Sequence, residues 1–332
     1  MTRNIPGATG AATGLATFGA DIGGTNVRVA LVDGDGTVVE QRRGPTPPSL
    51  DALVDQIAVA VRDLAPLRPA AGALGIGAAG LVDTAGVIHY APNVPAFRDA
   101  PLRARVADAL DMPVAVDNDA NVAVLAELVH GAARGRHDVL LVTLGTGVGG
   151  GIVAGGRVLR GAHGFGAEIG HFQVDPDGPM CACGRPGHWE ALASGTALGA
   201  LGRAQALAGN APSLVARAGG SADAVKGVHV GAAAVAGEAD ALAIVAEYAA
   251  RVAIGLVGLV NILDPEIVVV SGGLVELGDV LLAPMRDAFA DQIEGAAYRP
   301  EVEIVPAALG EHAGVIGAAA LARDLAGAGR SA

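Results

Sequence analysis

Segment 168–190 gathers six side chains able to do chemistry. E-I-G-H at 168–171 supplies Glu168 and His171, and C-A-C-G-R-P-G-H-W-E at 181–190 supplies Cys181, Cys183, His188 and Glu190. Two thiols and two imidazoles are ligands of the kinds zinc prefers, and four protein ligands close a tetrahedron, so such an ion is structural and not catalytic. Gly184 and Gly187 allow the tight knuckle that such a loop requires. Glu168 and Glu190 flank the ligands and can point acceptors at a polyol.

Three Gly-rich turns each follow an apolar run. D-I-G-G-T-N-V-R at 21–28 places Gly23 and Gly24 where a backbone can approach a phosphate; Thr25 and Asn26 offer donors, and Asp21 can hold a metal-bound water. L-G-T-G-V-G-G-G at 144–151 repeats that chemistry with Gly145, Thr146 and Gly147. S-G-G-L at 271–274 has room at Gly272 and Gly273 for an adenine and ribose. Taken singly, each turn is equally a plain tight hairpin. V-D-N-D-A-N at 116–121 puts Asn118 and Asp119 at a strand's carboxyl end, where α/β sheets bind ligands. A carboxylate there can take a hydroxyl proton during attack on a γ-phosphorus. Asp117 or Asp119 could instead cap the helix that follows. Glu127 within that helix reads as a solvated face residue, Trp189 as a packing anchor, and the histidines outside 168–190 as surface or turn residues.

Composition removes several classes. A net charge of −12 argues against nucleic acid and against anionic membranes. Lys226 is the sole lysine and lies in no Gly-rich loop, which excludes both the G-x-x-x-x-G-K-[ST] loop and the protein-kinase strand lysine. The longest apolar stretch, 241–263, carries Glu247, Arg251 and Asn261, and so reads as a buried amphipathic helix. No secretory signal precedes Thr17, and two cysteines one residue apart make a poor disulfide; a reduced, cytoplasmic protein is expected.

At 332 residues two lobes are expected. Strands are predicted at 16–20, 27–32, 37–41, 73–77, 114–116, 139–143, 266–271 and 302–305. Helices are predicted at 49–64, 102–110, 120–130, 192–207, 239–263, 279–292 and 312–325. That alternation is α/β. The stretch 208–238, rich in Gly, Ala and Ser, reads as the most linker-like segment.

In combination these motifs, together with G-A-A-G-L-V-D at 77–83 and A-P-N at 91–93, resemble the ROK family of repressors and sugar kinases, in particular its bacterial ATP-dependent glucokinase branch. The resemblance runs from about Ala16 to Asp324. It implies a two-lobed actin-like ATPase and sugar kinase (ribonuclease H-like) fold with a central cleft. The small lobe is expected at 16–118, with helix 312–326 returning to it; the large lobe, at 119–311, contains the zinc knuckle.

It further implies ATP-dependent phosphorylation of glucose at the 6-hydroxyl with Asp119 as general base. Asn93, Asn118, Asp119, Glu168, His171 and Glu190 would hold the sugar. Asp21, Gly23, Gly24, Thr25, Gly145, Thr146 and Gly147 would serve the phosphates and Mg²⁺, and Gly272 and Gly273 the adenosine. His171, Cys181, Cys183 and His188 would hold a structural Zn²⁺, His188 standing where the family has a third cysteine. A homodimer or dimer of dimers is implied. Alternatives are another hexose or N-acetylhexosamine (fructose, mannose, N-acetylmannosamine, N-acetylglucosamine), or a non-catalytic sugar sensor, for whose DNA-binding domain too few residues precede Asp21. An actin-like ATPase with a protein client leaves the knuckle unexplained.

Overall fold

The computed structural model describes residues 14–91, 94 and 97–328. The chain divides into two compact units: residues 1–139, 151–167 and 308–332 form the first, and 140–150 with 168–307 the second.

In the first unit, β1 (Thr17–Ile22), β2 (Asn26–Val32) and β3 (Val38–Pro45) form a meander, and β4 (Leu74–Ala78) and β8 (Val114–Asn118) extend it in parallel, giving the order β3-β2-β1-β4-β8. Between β4 and β8 come the short strands β5 (Leu81–Val82), β6 (Ile88–Tyr90) and β7 (Arg98–Ala100), which make a separate small sheet. Helix α1 (Leu50–Leu64) starts at Ser49, whose Oγ accepts the Ala52 N–H at 3.4 Å. It buries Leu53, Ile57, Val61 and Leu64, a helical 4-4-3 spacing that faces Phe18, Leu31 and Ile76 of the sheet. Each such side chain contributes about 1.5–3 kcal/mol by leaving water. Helix α2 (Leu102–Leu110) precedes β8, and α3 (Asp119–His130) follows it without a loop.

The terminal helix α10 (Ala313–Ala328) covers the other face of this sheet, with Thr17 Oγ1 donating to Ala319 O at 2.8 Å. It lies so close that a Cβ on Gly75 would fall 1.8 Å from Ala318 O, so only glycine fits that strand position. The helix expected to return to the small lobe therefore does pack there. α3 belongs with it, since its Val122 backbone abuts Gly317; the compact units divide after Val139 and not after residue 118.

The second sheet has the order β11-β10-β9-β12-β13, from β9 (Val139–Leu144), β10 (Val148–Ala154), β11 (Arg157–Val158), β12 (Ile267–Ser271) and β13 (Glu303–Pro306). β12 and β13 are parallel. Both glycine-threonine turns join consecutive strands that are neighbours in their sheet, β1 to β2 and β9 to β10.

The remaining helices of the second unit are α4 (Glu190–Ala193), α5 (Gly195–Leu207), α6 (Pro212–Arg217), α7 (Gly227–Val235), α8 (Ala239–Leu263) and α9 (Asp279–Gln292). The segment read as linker-like is thus mostly helical, and it buries Leu214, Val225, Val230 and Ala233. Its small residues serve close packing: a Cβ on Gly227 would meet Gly195 O at 2.8 Å. The predicted helix 192–207 is two helices, broken at Ser194, which caps α5. α8 is long and apolar enough to cross a membrane by length and composition; its Ile244, Tyr248, Val252 and Leu256 are buried inside the unit.

Candidate active site

In the first unit the D-N-D-A-N segment is the joint between β8 and α3. Asn118, not an aspartate, caps the helix: its Oδ1 accepts N–H groups from Ala120 at 2.8 Å and Asn121 at 3.3 Å, while its Nδ2 donates to Gly80 O at 3.2 Å. Asp119 is the first helical residue. Solvent reaches it, yet the surrounding protein desolvates the carboxylate and holds its pKa above the usual range, against the Ala120 N–H, which lowers it.

Asp21, at the end of β1, is pushed up from 3.8 to about 6 by burial first and by the charge of Asp119 second, with Arg28 opposing. Asp21 thus senses the charge of Asp119, the arrangement in which one of two acids holds a proton more tightly. Beside them, Gly23 N–H donates to Asn26 O at 3.0 Å and Thr46 Oγ1 to Gly23 O at 2.6 Å, which fixes the 23–25 turn. Asn93 lies outside the described residues.

In the second unit the 145–147 turn closes with Gly145 N–H on Gly147 O at 3.0 Å. Glu190 links this turn to the cysteine segment: one oxygen accepts the Val148 N–H at 3.0 Å, and the other lies 3.3 Å from Cys181 Sγ. A Cβ on Gly147 would stand 2.4 Å from that carboxylate, so glycine is what admits Glu190 to the turn. Glu168 is exposed and opens the short 3₁₀ turn Ile169–His171, its carbonyl accepting the His171 N–H at 3.0 Å.

The four predicted metal ligands do converge. One donor atom from each of His171, Cys181, Cys183 and His188 falls within 4.8 Å of every other. Cys181 Sγ is 3.8 Å from His171 Nδ1, and Cys183 Sγ is 3.2 Å from His188 Nδ1. Burial, helped by Glu190, pushes the Cys181 thiol up to about 12, so by itself it keeps its proton; a soft cation supplies the charge that releases it. Two sulfurs and two imidazole nitrogens at these separations suit zinc. Trp189 beside them is fully buried, its Nε1 donating to Arg251 O at 3.3 Å, as a packing anchor would.

A cavity of about 830 Å³ in the second unit is lined by Gly145, Thr146, Thr196, Lys226, Gly273 and Glu276, among others. It joins two of the predicted turns and is large enough for a nucleotide. Lys226 joins this lining without a local sequence signal: it is the N-cap residue of α7, and only the folding of α5 against α7 brings it to the 145–147 turn, through Gly195 N–H on Gly145 O at 2.7 Å. A second cavity of about 500 Å³, along β13 at Arg286 and Phe289, contains none of the predicted residues.

Other readings change too. Glu127 is not solvated; it is fully buried and accepts N–H groups from Ala132, Ala308 and Leu309 at 2.7, 3.1 and 3.0 Å. His89 is no idle surface residue: it lies between Asp99 at 2.8 Å and Asp83 at 3.1 Å, and these acids raise its pKa. Ala308 and Leu309 lie so far from Glu127 in sequence that they leave no local signal.

The chain is similar to known proteins over most of its length. The pattern of the ROK family matches residues 17–325. A glucokinase of Streptomyces coelicolor is 40% identical over 93% of this chain and 98% of its own. An N-acetylmannosamine kinase of Citrobacter koseri is 35% identical over 93% and 99%. A ROK family glucokinase from Streptomyces griseus, whose crystal structure is in complex with glucose and AMPPNP, is 40% identical with a TM-score of 0.81, covering 93% of this chain and all of the other.

Proposed function

The chain belongs to the ROK family, and on that premise we propose that this sugar kinase is an ATP-dependent glucokinase acting at the 6-hydroxyl of glucose. Its fold is that of the actin-like ATPases and sugar kinases. The observation that carries the reading is Asp119: a solvent-reachable carboxylate at a strand's carboxyl end, held above its usual pKa and sensed by Asp21 of a phosphate-type turn. A base of that kind accepts the sugar hydroxyl proton as the oxygen attacks the γ-phosphorus. Glucokinases reach 40% identity where an N-acetylmannosamine kinase reaches 35%, which favours glucose, although two further glucokinases also stand at 35%.

Gly23, Gly24 and Thr25 on one turn and Gly145, Thr146 and Gly147 on the other would hold phosphates, with Gly272 and Gly273 bordering the adenosine. Asp21 would hold Mg²⁺ through a water; when bound, that cation offsets phosphate charge. Asn93, Glu168, His171 and Glu190 would orient sugar hydroxyls. Asn118 would contribute through its second amide hydrogen, since its oxygen and first hydrogen are engaged. The Cys₂His₂ set would hold zinc and supply no step. Two thiols side by side without a disulfide suit the cytoplasm, and we place the enzyme there.

The test is a coupled assay over a panel of hexoses and N-acetylhexosamines, with ATP and polyphosphate as donors. Glucose with ATP is expected to give the highest kcat/KM. Asp119→Asn should lower kcat by about 10²–10⁴-fold while glucose still binds. Near-normal turnover in that variant would remove the base assignment.

A further inference from the structure

Asp117 is the acid of the 116–121 segment that is withdrawn from solvent, at 5% exposure. Both of its oxygens are engaged. Oδ1 accepts the Asn118 N–H at 2.8 Å and Asn121 Nδ2 at 2.8 Å, and Oδ2 accepts Arg160 Nε at 2.6 Å. Both Oδ1 donors belong to the joint between β8 and α3, so Asp117 fixes the backbone on which Asp119 stands.

Arg160 arrives from far along the chain, just after β11. Its loop is itself tied down: Gly166 N–H donates to Arg160 O at 2.9 Å, and the Phe165 ring meets His89 edge-on at 5.7 Å. A buried carboxylate used only for packing is often replaced by apolar groups at no loss. Here a full ion pair sits two residues from the proposed base.

Resting on the glucokinase reading, we propose that Arg160 is a positioning residue for Asp119: through Asp117 it fixes the turn that carries the base, and its charge keeps the base beside a neutral pair. Without Arg160 the Asp117 anion stands uncompensated near Asp119, and ionising the base becomes harder. Without the Asp117 charge the Arg160 cation is left over, and ionising the base becomes easier. Within the first unit Asp21 on β1 also senses the charge of Asp119, with Arg28 on β2 opposing at Asp21, and neither residue changes in these variants.

The experiment measures kcat, glucose KM and the pH dependence of kcat in the full chain for Arg160→Gln, Arg160→Lys, Asp117→Asn and Asp119→Asn. Arg160→Gln should lose about 10²-fold in kcat, the scale on which misplacing a reacting group costs rate, with glucose KM little changed. Arg160→Lys should restore most of that loss. The acid limb should move to higher pH in Arg160→Gln and to lower pH in Asp117→Asn, which a merely structural role would not produce. A kcat within about twofold of wild type in Arg160→Gln, or limbs unmoved or moved the same way, overturns the inference. If Arg160→Gln does not fold, Arg160→Lys and Asp117→Asn decide it by the second limb alone. If wild type phosphorylates no sugar, or Asp119→Asn stays active, the glucokinase reading has failed and this inference falls with it.

Discussion

In the first unit, the fully buried Glu127 accepts three N–H groups, two of them from residues 181 and 182 positions away. In the second, four side chains from 171 to 188 gather their donor atoms within 4.8 Å. Both draw separate stretches of chain to one point. The carboxylate is complete with the protein's own donors, whereas sulfur and imidazole groups facing one another offer little attraction until a cation stands among them. One staple is a property of the chain; the other depends on the solution.

That contrast is sharpest under chelation. With the proposed zinc bound there, its removal should destabilise the second unit by an amount approaching the roughly 10 kcal/mol scale of structural zinc sites, abolish activity, and be reversed by added Zn²⁺. Metal analysis with differential scanning calorimetry reads it: a low-temperature transition should appear on chelation. A chelated protein with an unchanged melting profile would dissolve the comparison. Glu127→Gln should act the other way round. It replaces a charged acceptor by an amide whose NH₂ faces N–H donors, costing about 2–4 kcal/mol regardless of metal, as measured by denaturant unfolding with and without chelator.

The two staples also differ in how far the sequence reveals them. Cys181, Cys183, His171 and His188 are rare residue types at close spacing, and their chemistry names their purpose before any fold is known. The strand-turn-helix joints are similarly legible, because Gly, Asn and Asp mark them locally. Glu127 is one acid among many, and its burial depends on a segment that folds back from the far end of the chain. Segment 208–238 misleads for another reason: Gly and Ala are what close helix packing needs at Gly199 and Gly227, and also what a linker contains. Asn118 shows a third limit, since cap and ligand roles call for the same amide. Strands of two or three residues, such as β5, β6 and β7, are too short for any period to register.

Titration separates the units again, because the raised carboxylates lie in the first. Asp21 has an ordinary pKa of 3.8 and about 6 in the fold, so between those values the native state binds more protons than the unfolded chain. Stability then falls as pH rises through that window, the reverse of a salt-bridged acid. Asp21→Asn should remove this slope, and the difference between the two proteins' unfolding free energies should change by at most about 3 kcal/mol from pH 3 to pH 7. Equal slopes would show that Asp21 titrates as it does in water. For catalysis the sign is opposite: as the proposed base Asp119 would act ionised, so turnover should decline on acidification, beginning at higher pH than for an ordinary aspartate.

The smallest effect is expected at one of the four peptides where the chain passes from one unit to the other, between Ala167 and Glu168. Among the described residues, four that are not glycine have positive φ: Asp99, Asp111, Ala167 and Asp264. Asp111 and Asp264 end α2 and α8 as left-handed caps, and aspartate tolerates that conformation because its side chain can bond locally. Ala167, at φ 67°, has no such side chain, and its Cβ meets the following carbonyl at a cost of about 1–2 kcal/mol. Ala167→Gly relieves that cost but gives the unfolded chain about 0.4–1 kcal/mol of extra freedom. The net gain should be about 0.5–1 kcal/mol, a rise in melting temperature of about 1 °C by calorimetry. If the variant melts lower than wild type, the alanine is unstrained there and the backbone before Glu168 is held by its surroundings alone.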